Sequence, residues 1–132
     1  LAMYRRAGVL WREEDPDGNP WGLRFMAMFH MANDSGLFRQ QSELAAAGWK
    51  PEGNRFIRDG EAMLPLYEAK MIHHFDHRFG TYEGQTEAQA NQGKLPEFDD
   101  AAHADPKRVT LPRYWVDHAE VETRLQGAGA CQ

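Results

Sequence analysis

The chain has 132 residues, enough for one domain, and its 42% hydrophobic and 27% charged content supports a core with a share of loop. It contains no apolar run long enough to span a membrane and opens on no secretory leader pattern. Its single cysteine, Cys131, has no disulfide partner, so the expected setting is a reducing cytoplasm without membrane contact. The net charge of -5 argues against an autonomous DNA-binding domain, because such domains take most of their affinity from neutralising phosphates with a basic surplus.

In chain order, Met3 to Arg12 reads as a short strand and Glu13 to Pro20 as a polar loop rich in Asp, Pro and Gly. Trp21, Leu23, Phe25, Ala27, Phe29 and Met31 recur at period two and predict a strand, with Met26 and Met28 making its second face partly apolar. Asn33-Asp34-Ser35 supplies N-cap side chains for a helix from Leu37 to Ala47 that ends at Gly48, and Trp49 is expected to fold back on that end. After a turn over Pro51 to Asn54, the segments Arg55 to Arg58 and Glu61 to Tyr67 flank Asp59-Gly60. That dipeptide favours a two-residue hairpin turn with positive φ, and Pro65 suits a strand edge or end.

Past Tyr67 the period changes. Met71, Ile72, Phe75 and Phe79 share one helical arc, which predicts an amphipathic helix over Glu68 to Phe79, with Lys70, His73, His74 and His77 opposite. Residues 83–108 show little apolar pattern and read as a long polar loop, poorly ordered or with one helical turn. Val109 to Val116 reads as a last strand. Asp117 with Glu120 resembles a capping box opening a short helix with Val121 and Leu125, and 127–132 reads as a tail. The expected architecture is α+β: a small antiparallel sheet with a hairpin, two to three short helices and a long polar loop. The ends at Leu1 and at Gly127-Ala128-Gly129-Ala130 read as cut points, so residues 1–132 are expected to form a single module excised from a larger protein.

The densest chemical cluster is His73-His74-Phe75-Asp76-His77-Arg78, preceded by Glu68 and Lys70. On a helix, His73 and His77 at i, i+4 are spaced to chelate a transition metal, and with Asp76 they define one alternative: a metal-dependent nuclease or hydrolase. The zinc-protease pattern is broken, because His74 stands where a Glu is needed, so no metal is assigned. The second reading is positioning: Lys70, Arg78, Thr81 and Tyr82, aided by His73, His74 and His77, are typical DNA-backbone contacts. The bland alternative is that Asp76 and Arg78 pair structurally. Glu68 projects into the apolar arc and needs an Arg or His partner from another element. Tyr114 and Trp115 suit core packing or a domain interface better than base stacking. A pure protein-interaction domain is a further alternative. The chain has no glycine-rich dinucleotide or P-loop motif, and no Asn-Pro-Pro-Tyr or Asp-Pro-Pro-Tyr tetrapeptide.

The run from Leu64 to Phe79, LPLYEAKMIHHFDHRF, resembles a stretch of large bacterial restriction–modification and phage-defence proteins that carry an N6-adenine DNA methyltransferase domain. The resemblance extends to FHMANDS from Phe29 and LPRYWV from Leu111, so it covers about Trp21 to Val116; the Tyr-Glu-Ala-Lys to Asp-His-Arg part is the specific one. In that family the stretch lies between the methyltransferase core and the target-recognition region. The resemblance implies a parent that transfers a methyl group from S-adenosylmethionine to adenine N6 in DNA. This chain would then be a non-catalytic segment that helps to position DNA or to join the flanking catalytic and recognition domains. It implies no catalytic residue and no cofactor within the chain itself.

Overall fold

The computed structural model describes Arg6, residues 10–23 and residues 27–127. Among them the chain forms an α+β fold around a four-stranded antiparallel sheet. Its strands are β1 (Lys50–Glu52), β2 (Arg55–Arg58), β3 (Glu61–Leu66) and β4 (Tyr114–Asp117), in the spatial order β1-β2-β3-β4. The α-helices are α1 (Gln41–Ala46), α2 (Glu87–Asn91), α3 (Asp100–Ala104) and α4 (His118–Gly127). None of the described helices is long and apolar enough to cross a membrane.

The hairpin of β2 and β3 forms where local chemistry favours it. Asp59 and Gly60 take φ values of 51° and 87°, matching the right-handed twist of the flanking strands. The turn before β2 is tighter than the sequence suggested, with Pro51 and Glu52 in β1 and only Gly53-Asn54 between the strands. Pro65 pairs with Trp115 of β4, at a height where the pairing with β2, which reaches Met63, has ended. The missing N–H of Pro65 therefore faces no β2 partner.

Register puts Phe56, Met63 and Trp115 on one sheet face, where α1 covers them with Leu44. The Trp115 ring meets Phe56 edge-on at 5.1 Å, and its indole N–H donates to the Asn54 carbonyl at 2.8 Å, so the buried polar tip is satisfied. Trp49 packs against this cluster and its N–H bonds the Leu44 carbonyl at 3.0 Å, the fold-back expected at the helix end. α4 packs against β3 and β4, where Val116 is buried on the opposite face. Asp117 accepts the Ala119 N–H at 2.8 Å at the start of α4.

Three expectations are corrected. The helix read over Leu37 to Ala47 is split into a 3₁₀ turn, Ser35–Leu37, and α1, with Arg39 between them in a β-bridge to Trp115. Gln40 and Glu43, not Asn33 to Ser35, close the capping box of α1, while the Asp34 carboxylate serves Arg124. The period-two stretch from Trp21 to Met31 forms no strand among its described residues; Trp21 and Met31 are exposed, and Arg24, Phe25 and Met26 lie outside the description. Alternation needs a partner edge, and the outer edge of β4 is engaged by Arg39 at Trp115. The strand expected from Met3 to Arg12 falls mostly outside the described residues, as do Ala128 to the C-terminus.

The long connection from β3 to β4, residues 67–113, carries every candidate site residue. It is no featureless loop: 83–108 contains α2 and α3. Its backbone is also laced to itself, through Thr81 N–H to Pro96, Phe98 N–H to Phe79, and Tyr82 N–H to Leu111, at 2.9 to 3.0 Å. Gly80 sits where these segments cross; a Cβ there would lie 3.0 Å from the Lys70 carbonyl oxygen and 3.3 Å from Leu95 Cβ.

Candidate nucleic-acid interface

The amphipathic helix expected over Glu68 to Phe79 does not form. Only Ala69–Met71 is helical, as a 3₁₀ turn, and the chain then doubles back in a tight hairpin. His73 N–H donates to the Asp76 carbonyl at 2.8 Å and Asp76 N–H returns to the His73 carbonyl at 3.0 Å; Phe75 at the tip takes φ 60°. Of the four apolar positions on the expected arc, Met71 is fully buried, but Ile72 and Phe75 are exposed. The arc was a coincidence of spacing. His73 and His77 accordingly share no helix face, and the i, i+4 chelation geometry is absent. No group of three or more His, Cys, Asp or Glu residues converges on a metal position among the described residues.

The hairpin is anchored through its second half. Asp76 accepts the Arg78 backbone N–H at 2.9 Å, and its other oxygen lies 3.1 Å from His103 Nε2 on α3. The Arg78 N–H first, then the charges of His103 and His77, hold the Asp76 carboxyl below the usual aspartate value, against a smaller opposing effect of burial. His103 Nδ1 lies 2.9 Å from the Asp99 carbonyl. Both neighbours of that ring are acceptors, so it donates to both only when it carries two protons.

Arg78 does not pair with Asp76 through its guanidinium. It reaches back to the end of α3 and donates to the carbonyls of His103 at 2.6 Å and of Asp105 and Arg108 at 3.0 Å each. A cation at a helix C-terminus satisfies orphan carbonyls and the helix dipole together.

Glu68 finds neither an Arg nor a His. Its carboxylate accepts the Tyr82 hydroxyl at 2.8 Å and stands 3.7 Å from Lys70 Nζ. Lys70 lies over the Tyr82 ring, 5.0 Å from its centroid. The Tyr82 hydroxyl first, then the Glu68 charge, raise the lysine above its ordinary pKa, while burial and the nearby Arg113 pull it down. Burial above all raises Tyr82. Thr81 is buried, and its hydroxyl bonds both the N–H and the carbonyl of Leu111.

The candidate residues thus fall into two sets. Arg78, Thr81, Tyr82, Glu68 and Asp76 direct their polar groups into the insertion and build its frame. His73, His74 and His77 stand exposed on the hairpin, with Lys70 partly exposed on the 3₁₀ turn that leads into it. Sequence reasoning missed Phe75 as an outward residue, His103 as the Asp76 partner, and Arg113 as a neighbour of Lys70. The first had a signal: a bulky residue flanked by His and Asp in HHFDH suits a turn as well as a helix. Tyr114 is half-buried against Phe38 and Trp115 is core.

No protein-family model matches the chain, and no curated protein or solved structure shows significant similarity to it.

Proposed function

We propose that this chain is a non-catalytic DNA-positioning module of an N6-adenine DNA methyltransferase of the restriction–modification or phage-defence type. S-adenosylmethionine and the chemistry belong to the flanking catalytic domain. The observation that carries the positioning role is the sorting of charge around the hairpin. Its carboxylate, Asp76, is engaged by His103 and by the Arg78 N–H, while His73, His74 and His77 face solvent and Lys70 stands partly exposed on the turn that leads into the hairpin, 3.7 Å from Glu68. A hairpin that offers ring N–H donors, with the Asp76 carboxylate turned away and a partly exposed lysine at its entry, suits phosphate oxygens. The parent's identity rests on the sequence likeness over Leu64 to Phe79.

The net charge of -5 is consistent with this division of labour: the module orients DNA that other domains hold. The test is chemical-shift mapping of the chain with a short duplex at low salt. Amide shifts concentrated at residues 70–77 and near Arg113 support the reading; shifts confined to β1 and β2, or none, contradict it.

A further inference from the structure

Four aromatic rings run from the frame of the insertion to its tip. Phe79 is half-buried, and the His73 ring lies tilted against it with centroids 5.0 Å apart. His74 meets His73 edge-on at 5.5 Å, and Phe75 follows His74 at 6.5 Å. Phe75 ends the series with a relative exposure of 108%, so none of the described residues covers it.

The same residue has φ 60°, a left-handed conformation that a bulky L-residue rarely adopts. The fold gains nothing from a phenyl ring there. A glycine or asparagine would make the turn with less strain and leave no apolar surface in water. The tip is nevertheless held in place: reciprocal backbone bonds close it, and Asp76 and Arg78 fasten its second half to α3. An unrewarded ring, presented on an anchored turn and backed by further rings, is the form of a contact whose counterpart is another molecule.

We infer that Phe75, with His74 beside it, is a base-stacking tip, which takes the face of a nucleobase in single-stranded DNA or at an opened duplex step. This deepens the DNA-positioning reading and rests on it. The ring's neighbours favour a base over an apolar protein pocket. His74 and, behind it, His73 are flat, polar heterocycles that match base faces and edges, whereas the exposed aliphatic side chain of Ile72 stands at the stem, outside the closing bonds. Enzymes that act on a base must take it out of the stack, and an inserted ring holds an opened step.

The test is titration of the 132-residue chain, at low salt, into oligonucleotides carrying 2-aminopurine: a single strand, a duplex with the probe opposite an abasic site, and a fully paired duplex. Stacking quenches the probe. The expected result is quenching and tighter binding with the first two. Phe75→Ala should weaken that binding about 10-fold or more and abolish quenching, and Phe75→Trp should preserve both. Phe75→Gly should raise the unfolding temperature while losing the quenching, which separates the contact from the fold. Phe75→Ala binding and quenching like the wild type would overturn the stacking tip, leave the ring to a protein partner and leave backbone positioning standing. Failure of the wild type to bind any of the three would overturn both.

Discussion

The Asp76 carboxylate lies 3.1 Å from His103 Nε2, across 27 residues of chain, and this contact fastens the exposed hairpin to α3. The Arg78 N–H, His103 and His77 together depress the Asp76 pKa in the folded state. A depressed carboxyl stabilises the fold above its unfolded value, near 3.8, and that contribution disappears as pH falls through the folded value. Asp76→Asn should therefore unfold at a lower temperature than the wild type at pH 7, and the gap should close below about pH 4. Thermal unfolding followed by circular dichroism across that range checks it. Asp34, whose carboxyl Arg124 also holds low, is common to both proteins, so the difference reports Asp76 together with its contact to His103.

Arg124 joins α4 to the loop before the first 3₁₀ turn. Its guanidinium holds Asp34 through two bonds, at 2.7 and 3.1 Å, donates to the Met28 carbonyl at 2.6 Å, and lies 4.4 Å from the centroid of the Phe29 ring. A lysine can supply the charge but neither the fork nor the flat face. Arg124→Lys should lower the unfolding temperature and Arg124→Ala should lower it further. A double-mutant cycle with Asp34→Ala should show the two single losses to be less than additive.

Trp115 is 1% exposed and Leu44 2%, and both belong to the cluster beneath the sheet. Trp115→Ala should cost about 3–5 kcal/mol and Leu44→Ala about 2–5 kcal/mol in urea unfolding. Trp115→Phe should still leave the Asn54 carbonyl without its indole donor. If the tryptophan change cost no more than a surface substitution, this core assignment would be wrong.

What was legible in the sequence was local. Asp59-Gly60 fixes a hairpin by backbone conformation alone, and the two-residue turn, with Arg58 paired to Glu61, then sets the register of β2 and β3; Asp117 announces α4 by capping. The 67–113 insertion was not legible for the opposite reason. Its shape depends on Arg78 meeting carbonyls 25 to 30 residues away, on Asp76 meeting His103, and on Thr81 meeting Leu111. The apolar spacing of Met71, Ile72, Phe75 and Phe79 fits a helix, yet only the first of them is fully buried, and no periodicity reveals that. The candidate residues were found by type, but which of them face solvent depended on those distant partners.

Without a donor-binding or Asn-Pro-Pro-Tyr motif, the chain should transfer no methyl group to DNA from labelled S-adenosylmethionine. Incorporation of label above a buffer control would contradict a purely positioning role.

The most direct test of that role is the salt dependence of DNA binding by the chain and two variants, Lys70→Ala and Arg78→Ala. Overall affinity should be modest, no better than ~10⁻⁵ M at physiological salt, given the net charge of -5. Lys70 is partly exposed and held by the Glu68 carboxylate at 3.7 Å and the face of the Tyr82 ring, contacts it can exchange for a phosphate. Its removal should therefore reduce the slope of log affinity against log salt by about one, equally for all DNA sequences. Arg78 is engaged by three carbonyls, so its removal should lower the unfolding temperature and leave the slope unchanged. An unaltered slope in Lys70→Ala, or binding that is tight and sequence-specific in the isolated chain, would contradict the account.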